Sequence, residues 1–330
     1  MIRRLLDDVP AWARANSPVL RYEMQKEQTG STFGLRLASA AGQVILVLIL
    51  LGVSVLMVTR LFTQPAGVNP TQAVWHILYL PTIGVQIMLS VILLFIGGST
   101  VSAERRRQTW DHLRVTTTGA ELLLRVRLLA VFYRVRVLFA LAFLARFVIM
   151  LTTLIEISSH RGEYLSLLLT QANSMGLSAG TSISPALGIV AVAAALTAAF
   201  LLPLTQAALD VALSLLLTTA ITQYPWSVMS QMVLVVLRVV TTIALSLLGL
   251  AILQGGVELS TPLAWAGMIG AAVLGDQGLL MMQISQAAVI WQTLPYGVLI
   301  GVGALLVMLI QAAFASMVLL LAVRRAERTE

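Results

Sequence analysis

Apolar residues in this chain run together in long blocks, with neither the alternation of a half-buried strand nor the single stripe of a water-facing helix. Six blocks, 37–59, 74–98, 137–155, 185–217, 227–253 and 294–323, each come close to or exceed the ~20 residues needed to cross about 30 Å of hydrocarbon. They predict six transmembrane helices. Two shorter apolar runs, 263–274 and 278–291, lie between the fifth and sixth blocks and are parted by Gly275-Asp276-Gln277-Gly278. Neither can cross, so the pair predicts a helical hairpin that dips into the outer leaflet before the last span. Its non-helical turn must then be covered by protein, because lipid offers backbone groups no hydrogen bonds. The segment 1–36 carries charges throughout and no continuous apolar core, so it is read as a helix at the cytoplasmic interface and not as a signal peptide. The expected fold class is thus an all-α integral membrane protein with six spans.

Composition excludes a water-soluble domain. Hydrophobic residues make up 58% of the 330 and charged residues only 11%, with a mean hydropathy of +0.93. The net charge of +7 reads as an orientation signal and an affinity for anionic lipid, so nucleic acid is not an expected partner. Fifteen of the 21 basic residues fall in 1–36, in the 105–127 part of the second-to-third connection and in the tail 324–330. The positive-inside rule therefore puts both termini in the cytoplasm of a cell (plasma or inner) membrane. The 37–323 membrane domain then has one long cytoplasmic connection, 101–136, and two long external ones, 156–184 and 254–293.

Candidate chemistry is sparse. Cysteine is absent, which removes disulfides, thiolate nucleophiles and cysteine-bound metal. His76, His112 and His160 fall at outer helix ends or in the cytoplasmic connection, where surface roles fit better than haem or metal. No phosphate-binding loop is present, and the sole lysine, Lys26, sits in Met24-Gln25-Lys26-Glu27. The chain itself is thus expected to be neither an enzyme nor a cofactor protein. Charges inside spans stand out because each costs about 2.5 to 3.5 kcal/mol at the helix centre. Asp210 and Arg238 lie at matched depth in the fourth and fifth spans, which suits an ion pair, a substrate headgroup contact or a polar contact across a dimer interface. Arg146 has no obvious partner at its depth, and Arg134 and Arg136 suit snorkelling to the interface. Gly297 and Gly301 have the spacing of close helix packing.

Two segments carry more than topology. Asn16-Ser17-Pro18-Val19-Leu20-Arg21-Tyr22-Glu23 mixes apolar and charged residues as an interfacial or partner-contacting helix does. Glu104-Arg105-Arg106-Arg107-Gln108-Thr109-Trp110-Asp111-His112-Leu113 suits either a short charged helix with one aromatic anchor, made for docking, or a solvated basic loop.

The latter run, with Val115-Thr116-Thr117-Thr118-Gly119-Ala120-Glu121-Leu122 after it, resembles the signature of type-2 ABC transporter permeases, and the Asn16 to Glu23 element is similar to that family's N-terminal motif. Arg106, Gln108 and Thr117 stand where Glu, Gly and Pro are usual, and Ser17 is inserted between Asn16 and Pro18. The resemblance implies an interfacial N-terminal helix, six spans, a coupling helix after the second and a membrane-dipping element before the sixth. It implies that Glu104, Arg105, Thr109, Trp110, Asp111 and Leu113 seat against a separate ATPase subunit that binds the ATP. Two permease chains would form the pathway at their interface. The expected function is the permease half of an ATP-driven exporter for a lipid-like or amphipathic substrate. The alternative is a structural subunit of a respiratory or photosynthetic complex that keeps the permease fold without transport.

Overall fold

A computed structural model describes residues 70–106, 119–159, 185–221, 223–253, 255–256, 259–275, 277–282, 290–291 and 297–328. The expected first span, 37–59, and the 1–36 segment lie outside the described residues, as do 107–118 and 160–184. Every regular element among the described residues is helical: α1 (Pro70–Arg106), α2 (Gly119–Arg134), α3 (Arg136–Ser159), α4 (Pro185–Ala220), α5 (Tyr224–Leu253), α6 (Thr261–Val273) and α7 (Ile300–Arg328), with 3-10 turns at Gln277–Met282 and Gly297–Leu299. Five stretches are long and apolar enough to cross a membrane: Ile77–Gly98, Arg136–Ile157, Ala186–Ala220, Pro225–Ile252 and Gly297–Glu327. The chain is a multi-pass membrane protein.

Proline and glycine punctuate these helices as their backbone chemistry requires. Pro70, Pro185 and Pro225 stand in the first two positions of α1, α4 and α5, and Pro262 opens α6 after the extended Ser260, where a missing N–H costs nothing. Beyond α5, Gly255 adopts φ +68°. Its N–H reaches Ile252 O at 3.1 Å while the Gly256 N–H reaches Ala251 O at 2.9 Å. That paired arrangement closes a helix end and favours glycine at the left-handed position.

Several helices run further than hydropathy alone predicts. α1 continues past its apolar block to Arg106, and α7 continues through the expected tail to Arg328, because arginine and glutamate sustain a helix as well as leucine does. The expected 101–136 connection is not a charged loop throughout. Its second half is α2, which buries Leu124, Val131 and, just beyond the helix, Val135 against Leu89, Leu93, Val211, Leu215 and Ala322. Arg127 shares that face by helical spacing and is 1% exposed.

α4 is the hub. Its alanines Ala191, Ala195 and Ala198 join Ile300, Ala304 and Met308 of α7 in one core, with Met268 and Ala272 of α6. A Cβ on Gly301 would stand 2.6 Å from both Ala191 O and Ala195 Cβ, so the close approach of α7 to α4 depends on that glycine. Gly297 serves a different neighbour: a Cβ there would meet Ile290 O at 2.5 Å. Gly301→Val is expected to wedge α7 from α4 and lower stability by about 1 to 3 kcal/mol. Reversible denaturation in detergent measures this, and an unchanged midpoint would contradict the packing described. Large apolar side chains on the outer faces, Leu144, Ile189, Val236, Leu247 and Ile310 among them, are exposed, as suits a bundle whose surroundings are lipid or other apolar surfaces.

Candidate functional site

Polar residues recur at four- or seven-residue spacing on the inward sides of three spans, and the folded bundle brings them together. α1 contributes Thr82, Gln86 and Ser90; α4 contributes Gln206, Asp210, Ser214 and Thr218; α5 contributes Gln231, Arg238, Thr242 and Ser246. All are buried except Arg238 and Ser246, which are partly so. Spacings of four and seven keep each set on one helix face, so the three rows form a polar seam along the bundle.

Bonds across the seam are specific. Gln86 Nε2 donates to Gln206 Oε1 at 2.9 Å, and Ser214 Oγ donates to Leu94 O at 2.8 Å. The two parallel helices come close beside Gly97, where a Cβ would stand 3.1 Å from Ser214 Oγ. Arg238 Nε lies 3.4 Å from Asp210 Oδ1, their side chains 14% and 3% exposed. Of the readings left open by sequence depth, an ion pair is thus the arrangement present. Ser90 stands beside Asp210 from α1.

The seam also receives the end of α6. A helix leaves its last four carbonyls without intrahelical partners, and here that end lies among spans, near the middle of the 30-residue α5. Gln206 Nε2 donates to Val273 O. Arg238 and Thr242 point donors at Leu274 O, at 3.4 and 3.5 Å, and Ser246 Oγ donates to Gly275 O at 2.9 Å. Arg238, Thr242 and Ser246 are successive fourth residues of α5, so one stripe serves three donors to two adjacent carbonyls. The return limb is held on the other side by Trp75 Nε1, 3.4 Å from Leu279 O, and by the Thr153 hydroxyl donating to Met282 O. Of the element expected to dip into the membrane, the described residues form α6, a turn at Leu274 and Gly275 and the 3-10 turn Gln277–Met282, and the carbonyls of that stretch named above are met by side chains of the spans, as non-helical backbone away from water requires; 283–289 lie outside the described residues.

Gly275 sits where no side chain fits: a Cβ would stand 2.7 Å from Ala271 O and 3.2 Å from Ser246 N. Gly275→Val is expected to push the turn off α5 and raise amide hydrogen exchange across 261–282 at least tenfold. Exchange unchanged from wild type would rule out the tight turn as the point of docking.

Arg146, which had no visible partner in the sequence, is 0% exposed and donates through an Nη to Ala199 O. The reason lies four residues on. Pro203 is inside α4 and has no N–H, so Ala199 O loses its helical donor, and Arg146 supplies one. Sequence inspection could have found this from a proline and an arginine within apolar spans.

Of the expected coupling residues, Glu104 and Arg105 occupy the last turn of α1, while Thr109, Trp110, Asp111 and Leu113 lie outside the described residues. Among the described residues no group of three or more His, Asp or Glu side chains gathers as metal ligands do. Compared with known protein families, characterised proteins and solved structures, the chain matches none.

Proposed function

We propose that this chain is the permease subunit of an ATP-driven exporter of the type-2 ABC kind, working with a separate ATPase chain and a second permease chain, and moving a lipid-like or amphipathic substrate along the interface between the two permeases. The observation that carries the reading is the position of the 104–113 run. It begins in the last turn of α1 beyond the apolar span and ends before α2, which returns to the bundle. A partner docked there would act on two packed elements at once. The membrane-dipping element ahead of the last span supports the same reading.

The seam among the described residues has no room for a substrate. The small pocket in the seam has a volume of about 10 Å³, room for about one water and no substrate. On this reading both termini are cytoplasmic in a cell membrane. ATP is bound and hydrolysed by the partner, and the chain is neither an enzyme nor a cofactor carrier.

One observation favours the second reading, a structural subunit of a respiratory or photosynthetic complex. The intramembrane charges are engaged by protein groups, Arg238 by Asp210 and Arg146 by Ala199 O, so none of the three is held in reserve for cargo. Purification of the native assembly separates the two. A co-purifying ATPase supports the transporter, and respiratory or photosynthetic chains support the structural subunit. With an ATPase present, Trp110→Ala removes the aromatic anchor of the coupling run, a loss of about 2 kcal/mol at an interface. Capture of the partner at equal expression is expected to fall by at least about tenfold. Full capture with undiminished ATP-dependent transport would reject the coupling role.

A further inference from the structure

The bonding count in the seam does not close. Gln86 gives its Nε2 to Gln206, but Gln86 Oε1 is buried with no hydrogen-bond partner, and so are Arg238 Nε and Asp210 Oδ2. Arg238 Nε is near Asp210 Oδ1 without the alignment of a hydrogen bond. Buried polar atoms are rarely left so, and three in one place demand a cause.

Space lies beside them. The small pocket is bounded by Gln86, Ile87, Ser90, Gln206, Arg238, Val239 and Thr242, and its volume is about 10 Å³. That is near the lower limit for one water, and far too small for an ion with its ligands or for an organic group. Its polar lining rules out an empty apolar void, which stays dry only where no group can bond. Charge points the same way. Arg238 repels a bare cation from the pocket, Asp210 behind it repels an anion, and the pair together leaves a site suited to a neutral molecule.

We infer that this pocket is a binding site for one ordered water, which donates to Gln86 Oε1 and accepts from the Arg238 Nε–H. The Ser90 and Thr242 hydroxyls supply further partners, which brings the total to the two to four that buried waters have. The water joins α1 to α5 at the level where α5 also holds the end of α6. It links the ion pair to the glutamine pair, and the glutamine pair to Val273 O. The turn after α6 is then held by one connected network of side chains and solvent, in which Gln86 Oε1 and Arg238 Nε gain a partner while Asp210 Oδ2 and, further along the seam, Gln231 Nε2 do not. The inference is independent of whether the chain transports anything.

The test is a cryo-electron microscopy or crystal map of the full chain, in lipid nanodiscs or detergent, at a resolution that shows internal waters. A peak is expected within about 2.7 to 3.2 Å of both Gln86 Oε1 and Arg238 Nε. A map showing waters elsewhere in the interior but none here overturns the inference, as does a Gln86 amide whose oxygen is met by another side chain. The variant Val239→Ile adds a methylene next to this space and touches none of the bonds described. It is expected to remove the peak while the Asp210–Arg238 separation stays as it is, and a peak that persists unchanged places the water outside this pocket and overturns the assignment.

Discussion

Arg146→Met is expected to destabilise the folded bundle by about 2 to 3 kcal/mol, since it strips a charged donor from a buried carbonyl. In a Pro203→Ala background it should cost much less. The arginine is needed because Pro203 withholds the N–H that would otherwise satisfy Ala199 O. Alanine at 203 restores that helical bond and makes the arginine's donation redundant. A double-mutant cycle, read as shifts in the midpoint of reversible denaturation, should therefore show a coupling of at least about 1 kcal/mol. Equal penalties for Arg146→Met in both backgrounds would mean that arginine and proline act separately, and the explanation offered for the buried charge would fall.

This pair also shows where reading the sequence succeeds and where it stops. The spans are legible because a run of about 20 apolar residues has few other uses, and the short α6 with its turn is legible because 263–274 is too short to cross and is followed by Gly275-Asp276-Gln277-Gly278. Asp210 and Arg238 announced themselves by charge and depth. Arg146 announced itself by charge as well, but its partner did not, because that partner is a backbone carbonyl, which every residue carries and only the missing N–H of Pro203 singles out. α2 was obscured for a similar reason. Hydropathy sees Glu121, Arg125, Arg127 and Arg134 and suggests a water-facing connection, yet Leu124 and Val131 on one face are enough to dock it. Glu121 and Arg125 meanwhile pair across one exposed turn at 2.5 Å, a contact worth little by itself. Uncharged polar residues were the least visible: Gln86, Gln206, Thr242 and Ser246 cost little in a hydropathy sum, and their shared role emerges only when three helices are seen side by side.

That shared role sets the last expected result. Asp210→Leu should cost about 3 to 5 kcal/mol, the usual effect of leaving one member of a buried ion pair without the other. Arg238→Met should cost more, because it strands Asp210 and also withdraws a donor from Leu274 O. Joining the two substitutions removes both charges together, and buried ion pairs replaced by apolar side chains are often no less stable than the original. Recovery here should nonetheless be incomplete. Leu274 O keeps only the 3.5 Å contact from Thr242, a deficit of about 1 kcal/mol that belongs to the turn after α6. The double variant should accordingly regain most of its global stability while hydrogen exchange stays elevated across 261–282 and close to wild type in the core of α4 with α7. If the two penalties simply add, the charges do not depend on each other. If stability returns with no residual opening of the turn, Arg238 serves Asp210 alone and the stripe of donors on α5 is not what holds the end of α6 among the spans.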